Sequence, residues 1–176
     1  LLLLNRKTDY YPQLKTILVY PRAFIKEQQS NNLGGVLLTP KVTLAGESWD
    51  FGKVILSWQD TVEGAQIPDD GHNVVIHEFA HQLDQENGKA NGAPILGKNH
   101  SYQCWSQAFA VQFEQLQKQA KTNTPSIFDY YGATNPAEFF AVASEVFFEK
   151  SQQFHHQHPQ LYQQLVQYYH VNPIHW

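Results

Sequence analysis

His77, Glu78 and His81, in the stretch NVVIHEFAHQLDQENG from Asn73 to Gly88, have types and spacing that can do chemistry. They spell H-E-x-x-H. On a helix, positions i and i+4 are separated by ~400°, so the two imidazoles project from one face, one turn apart. Both rings can then reach one tetrahedral Zn²⁺. Glu78 sits ~100° round from His77, suited to reach a water at the ion rather than the ion itself. The ion lowers the pKa of that water towards ~7, and a carboxylate takes its proton as the oxygen attacks a carbonyl. The bland alternative is a helix with two chance histidines. The flanking VVI and the enclosed FA make the helix amphipathic and buried on one side. Polar groups in so apolar a setting need partners, which favours the metal reading.

A catalytic zinc takes three protein ligands and keeps one position open. The extended pattern H-E-x-x-H-x-x-G-x-x-H is not continued here, because its third histidine position is Asn87. Four candidates are left: Asp84, His100, Glu138 and Glu145. Asp84 lies one turn beyond His81 and is better suited to accept from a ligand imidazole N–H. His100 falls in a loop, and spacing does not exclude it. Glu138 has a competing role: Asn135 as N-cap, Pro136 at N1 and Glu138 at N3 would make a capping box. Glu145, seven residues on, shares its helical face and is either the ligand or a supporting group. Local physics does not choose among them.

These residues need elements to hold them. TILVYP (Thr16 to Pro21) and GKVILSW (Gly52 to Trp58) read as strands, and NNLGGVLLTPKVTLAGESW holds two short apolar runs bounded by turn residues. Glu63 to Asn73 reads as a loop. Asn73 or Asp70 caps the first helix, whose Val75, Phe79 and Leu83 make one apolar face before Asn87-Gly88 stops it. A second helix runs from about Ser101 to Lys121 with Trp105, Phe109, Phe113 and Leu116 on one stripe. A third opens at Asn135-Pro136 with Phe139, Phe140, Val142, Val146 and Phe147. A last one, about Pro159 to Tyr169, carries Leu161, Leu165 and Tyr168. Strands first and helices after predict an α+β fold with one small mixed sheet and a mainly helical C-terminal half.

The 176 residues fit one domain, spanning 1–176. Hydrophobic residues at 42% are enough for a core. A net charge of −4 argues against nucleic acid as a direct partner, since phosphate binding needs a basic face. No run is long enough to span a membrane. The start LLLLNRKTDYY, in a chain without Met, reads as clipped, with upstream sequence missing and Leu1 to Leu4 belonging to a longer helix or core segment. The single cysteine, Cys104, cannot form an internal disulfide, which fits a cytosolic setting, and its apolar neighbours predict a buried small residue. His155, His156 and His158 read as part of a solvated Gln-rich turn rather than a second metal site. His72 reads as a loop histidine with no metal role.

Four blocks together resemble the Mlc titration factor A family of zinc metallopeptidases: VYPRAF (Val19 to Phe24), LAGESWDFGKVILSW (Leu44 to Trp58), NVVIHEFAHQLD (Asn73 to Asp84) and NPAEFFAVASEVFFE (Asn135 to Glu149). The resemblance continues through HPQLYQQLVQYYHVNP. The catalytic part is also similar to the anthrax lethal factor peptidase domain, through its H-E-F-x-H and E-F-F-A helices. This implies a zincin-like fold and a gluzincin-like site with one Zn²⁺. His77, His81 and Glu138 would be its ligands, Glu78 the general base, and Asp84 and Glu145 the supporting groups. Tyr131, seven residues before Glu138, would donate to the oxyanion, with neighbouring Tyr130 as the alternative. The KVILSW strand, through Val54, Ile55 and Leu56, would be the edge that pairs with a peptide substrate. The family implies a bacterial cytoplasmic protein with aminopeptidase-type activity that binds the glucose-responsive repressor Mlc, relieving repression of sugar phosphotransferase genes. The helical segment expected before VYPRAF is mostly absent, which puts the repressor contact in question. The rival is a repressor-binding protein whose zinc site is vestigial or structural.

Overall fold

The computed structural model describes residues 1–5, 11–27, 41–44, 46–49 and 52–176. Among these residues five strands come first: β1 (Thr16–Tyr20), β2 (Phe24–Glu27), β3 (Lys41–Leu44), β4 (Gly46–Trp49) and β5 (Lys53–Ser57). Six helices follow: α1 (Trp58–Gln66), α2 (Val74–Gln85), α3 (Tyr102–Thr122), α4 (Pro136–Glu149), α5 (Ser151–Gln157) and α6 (Pro159–Tyr169). Short 3-10 turns lie at Tyr130–Ala133 and Pro173–His175. The architecture is α+β, with strands and helices segregated along the chain as their sequence patterns require. The part of NNLGGVLLTPKVTLAGESW before Lys41 lies outside the described residues. Among the described residues no helix is long and apolar enough to cross a membrane.

The main sheet is mixed and has the order β1-β5-β4. β1 runs parallel to β5, with Thr16 opposite Lys53 and Tyr20 opposite Ser57. β4 runs antiparallel on the other side, with Gly46 opposite Leu56. β2 and β3 form a separate antiparallel pair. β5 is therefore a central strand, not an edge. Its Val54, Ile55 and Leu56 are buried, as an uninterrupted apolar run in a central strand should be.

Helix α4 is the spine of the helical half. Asn135 caps it by accepting from the Ala137 and Glu138 N–H groups, each at 3.0 Å, and Pro136 occupies its first turn. Its residues are buried almost all round, including Phe139, Phe140, Val142, Val146 and Phe147. A helix apolar on every side must be wrapped by others. Here α2 lies along it, α3 brings Trp105, Phe109 and Leu116, and α6 brings Leu161, Leu165 and Tyr169. Trp105 stacks on Phe109 at 4.2 Å between ring centres. Ser144 Oγ and the Tyr169 hydroxyl hydrogen-bond at 2.7 Å inside this core.

Several local expectations change. α1 replaces part of the expected loop after β5; Ser57 caps it by accepting from the Asp60 N–H at 3.3 Å. The Ser57-x-x-Asp60 spacing carried that cap signal, but α1 is only nine residues long and Gly64 is its one buried residue. The Gln-rich segment is not a turn but α5, because Phe154 is fully buried and anchors it. His155 and His156 are exposed, while His158 is buried against Phe128, with ring centres 4.9 Å apart. Cys104 is exposed: it faces away from the Trp105 stripe, one position round the helix. Of the four leading leucines, Leu2 joins the core and Leu3 packs against it, while Leu1 and Leu4 are exposed.

The loop between α2 and α3 is pinned at Gly92. Its N–H donates to Asp84 Oδ2 at 2.7 Å, and its carbonyl accepts from Trp105 Nε1 at 2.9 Å. Its φ is +76°, and a Cβ there would lie 2.4 Å from the Pro136 carbonyl oxygen at the start of α4. Gly92→Ala is expected to destabilise the protein by about 2 kcal/mol or more, because left-handed backbone strain adds to a backbone clash. The midpoint of urea unfolding measures this, and an unshifted midpoint would contradict it.

Candidate metal centre

α2 and α4 lie side by side, and their polar residues meet at one point. His77 Nε2 is 3.2 Å from His81 Nε2, and Glu138 Oε2 is 3.0 Å from the first and 3.2 Å from the second. One donor atom from each of the three residues forms this cluster. Donors bound at about 2.0–2.1 Å to one tetrahedral cation lie about 3.3–3.4 Å apart, so the triangle is close to the face such an ion needs. The Glu138 carboxylate is turned to the two imidazoles rather than back to the Asn135 N–H. Asn135 therefore caps α4 without a complete capping box.

His77 and Glu138 shift each other's ionisation. Burial by itself would lower the His77 pKa. Hydrogen bonds to Glu138 and Glu145, with the charges of Glu145 and Glu78, outweigh it and raise His77 from 6.5 to about 10. Burial by itself would raise Glu138, but its hydrogen bonds to His77 and His81 bring it down to about 2. With its pKa raised in this way, His77 would make an incoming cation compete with a proton. The expected result is release of about one proton per ion bound at neutral pH, with affinity rising about tenfold per pH unit and levelling off above the His77 pKa. Calorimetric titration in buffers of different ionisation enthalpy measures the proton count; a count of zero would contradict the protonated site.

Glu145 does not join the donor triangle. Its Oε1 is 2.7 Å from His77 Nδ1, and Oε2 accepts from the Asn73 N–H. An acceptor on Nδ1 fixes the tautomer in which Nε2 carries the lone pair. Asp84, expected in that supporting role, is placed otherwise. It is fully buried, its Oδ2 takes the Gly92 N–H, and its Oδ1 has no hydrogen-bond partner, so it holds the loop rather than a ligand imidazole. The rings of His77 and His81 face α4, whereas Asp84, one turn on, faces the loop. Burial raises the Asp84 pKa, opposed by hydrogen bonds from the loop backbone.

Glu78 is buried, with only 4% of its surface exposed, and its charge acts on His77. The Tyr131 ring lies 6.0 Å from the His77 ring. Tyr130 points elsewhere, its hydroxyl donating to the Thr124 carbonyl at 2.6 Å. Asp129 holds the turn by accepting from the Tyr131 N–H at 2.6 Å, and its Oδ2 lies 3.9 Å from His72 Nε2. An Asp opening a turn is a recognisable signal, but sequence reasoning passed over it. His100 is bonded to Gln164 Oε1 at 2.9 Å and is not in the cluster. The free edge expected at Val54 to Leu56 does not exist, since both sides of β5 are paired. Among the described residues, the edge strand that packs against α2 is β4.

Two imidazoles from one helix and a glutamate from another, with a buried carboxylate beside them, make a donor set that could hold a metal ion. The chain belongs to the glucose-regulated metallo-peptidase M90 family, whose model matches residues 1–170. It is 48% identical over 174 residues to an uncharacterized protein of Synechocystis sp., covering 98% of this chain and 63% of that relative. It is 33% identical over 161 residues to Mlc titration factor A of Escherichia fergusonii, covering 90% of this chain and 60% of the relative. The same protein of Pectobacterium atrosepticum is 32% identical over 161 residues, with the same coverage. The chain thus spans 60% to 63% of the length of these relatives.

Proposed function

We propose that residues 1–176 form a zincin-like, zinc-dependent peptidase domain of aminopeptidase type, with one Zn²⁺ held by His77, His81 and Glu138. The observation that carries this reading is the convergence of those three donor atoms, 3.0–3.2 Å apart, with Glu78 buried beside them. Nitrogen and carboxylate donors in a three-residue set suit zinc with one position left open. When bound, the ion supplies Lewis acidity, polarising the scissile carbonyl and acidifying the attacking water.

The chain's own residues do the rest. Glu78 takes the proton of the attacking water and returns it to the leaving amine. Glu145 keeps His77 oriented through Nδ1, so that Nε2 faces the donor set. Tyr131 donates its phenol to the oxygen that becomes negative as the carbonyl turns tetrahedral. An extended peptide aligns along β4, at the edge of the sheet beside α2, using main-chain hydrogen bonds.

A second role is binding an Mlc-like transcriptional repressor in the bacterial cytoplasm, as regulation of sugar phosphotransferase genes would require. Its support is the likeness to proteins named Mlc titration factor A. The two roles are compatible in one protein. The test is hydrolysis of aminoacyl and short-peptide chromogenic substrates, abolished by a chelator and restored by Zn²⁺. Tight zinc binding without hydrolysis, with capture of the repressor, would leave only the binding role.

A further inference from the structure

We propose that Asn73 is a positioning residue for the metal ligand His77, acting through the α4 carboxylates Glu145 and Glu149 and not only as the cap of α2. The inference rests on the metal site just described. All the polar groups of Asn73 are engaged. Its Oδ1 accepts from the Ile76 N–H at 3.1 Å, which is the cap. Its carbonyl accepts from the His77 N–H at 2.9 Å. Its N–H donates to Glu145 Oε2, and its amide Nδ2 donates to Glu149 Oε1 at 2.9 Å and lies 3.5 Å from the Gly64 carbonyl oxygen.

These bonds close a ring. Glu145 joins the Asn73 N–H to His77 Nδ1, and the backbone joins His77 N–H to the Asn73 carbonyl. Glu149 holds the ring from outside, through the Asn73 amide with one oxygen and the Gly71 N–H with the other, at 3.0 Å. Glu138, Glu145 and Glu149 stand at i, i+7 and i+11 of α4, within ~20° of one face. One stripe of a single helix therefore carries the third metal donor, the acceptor for the His77 ring, and the clamp on the residue that starts α2. The separation of the two ligand-bearing helices is tied at the very residue that begins the H-E-x-x-H helix.

Capping asks only for a side-chain oxygen, and Asp serves as well as Asn there. Asn alone accepts with one end of its side chain and donates with the other. An aspartate would keep the cap but turn a carboxylate on Glu149, replacing a hydrogen bond by like-charge repulsion. The two roles therefore separate in one substitution.

The experiment measures Zn²⁺ affinity by chelator competition, and the unfolding midpoint of the metal-free protein, for wild type, Asn73→Asp and the double variant Asn73→Asp/Glu149→Gln. Asn73→Asp is expected to weaken Zn²⁺ binding about 10–100-fold, the usual effect of losing a group that orients a ligand. The double variant is expected to recover it, because the swap restores the bond with its polarity reversed and leaves an oxygen for the Gly71 N–H. Wild-type affinity in Asn73→Asp would overturn the proposal and leave Asn73 a cap. A double variant as weak as the single, or recovery of folding without recovery of affinity, would overturn it too. A wild-type protein that binds no Zn²⁺ would remove the metal reading itself, and this inference with it.

Discussion

Glu78→Gln is expected to lower the rate of peptide hydrolysis by about 10²–10⁴-fold, the usual contribution of a positioned general base, while the bound zinc stays at wild-type level. The amide has the shape of the carboxylate but cannot take the proton of the attacking water. Glu78 projects about 100° away from His77 on α2 and is absent from the donor triangle, so metal binding has no need of it. Its burial, with 4% exposed, means that the isosteric change is the informative one, whereas truncation would also open a hole. Zinc content and turnover should be measured on the same preparation. Unchanged turnover would sink the mechanism. Loss of zinc together with turnover would show that Glu78 acts on the site's structure rather than on the proton.

Glu138→Ala is expected to strip the metal. Structural zinc binding of about 10–16 kcal/mol spread over four ligands gives about 2.5–4 kcal/mol each, or about 10²–10³-fold in affinity. The variant also leaves the His77 and His81 nitrogens facing each other at 3.2 Å without the carboxylate that lies against both. The metal-free protein should then lose one of the interactions that raise His77, and its imidazole should titrate lower, still held up by Glu145 and Glu78. Zinc measured after dialysis decides the matter, with Glu145→Ala as the comparison. Glu145 lies behind His77, on Nδ1, so its loss should weaken zinc binding only by the 10–100-fold or so typical of an orienting group. Zinc retained by Glu138→Ala and lost from Glu145→Ala would reverse the assignment.

Much of this was legible in the residues. The helix bearing His77 and His81, the cap at Asn135 and the helix from Pro159 to Tyr169 all follow from local periodicity and capping chemistry. The helix α1 was not legible, because it is short and buries only Gly64, nor was α5, whose burial hangs on Phe154 alone. The edge strand was misplaced for a different reason. The centre of this strand, Val54, Ile55 and Leu56, is an unbroken apolar run, which marks a strand covered on both faces, but only pairing with β1 and β4 shows that its hydrogen-bonding edges are filled as well. Cys104 and Asp84 were misplaced as well. Cys104 was judged by its sequence neighbours and Asp84 by its spacing from His81, whereas Cys104 faces solvent and Asp84 takes the N–H of a loop residue, Gly92.

By itself, the sequence determined the two imidazoles and the adjacent carboxylate. A period of 3.6 residues turns the spacing H-E-x-x-H into one face of a helix, whatever the rest of the chain does. Only the tertiary structure showed which of four candidates lies against both imidazoles. Glu138 and Glu145 share a face of α4, and no local rule tells them apart. The crossing of α2 over α4 sets Glu138 against both Nε2 atoms and Glu145 against Nδ1 of His77. The same crossing brings Glu149 to Asn73, 76 residues away in the chain, a contact that no spacing records. Which side chains meet across packed helices depends on the fit of whole faces, and that is a property of the assembled core rather than of any segment of it.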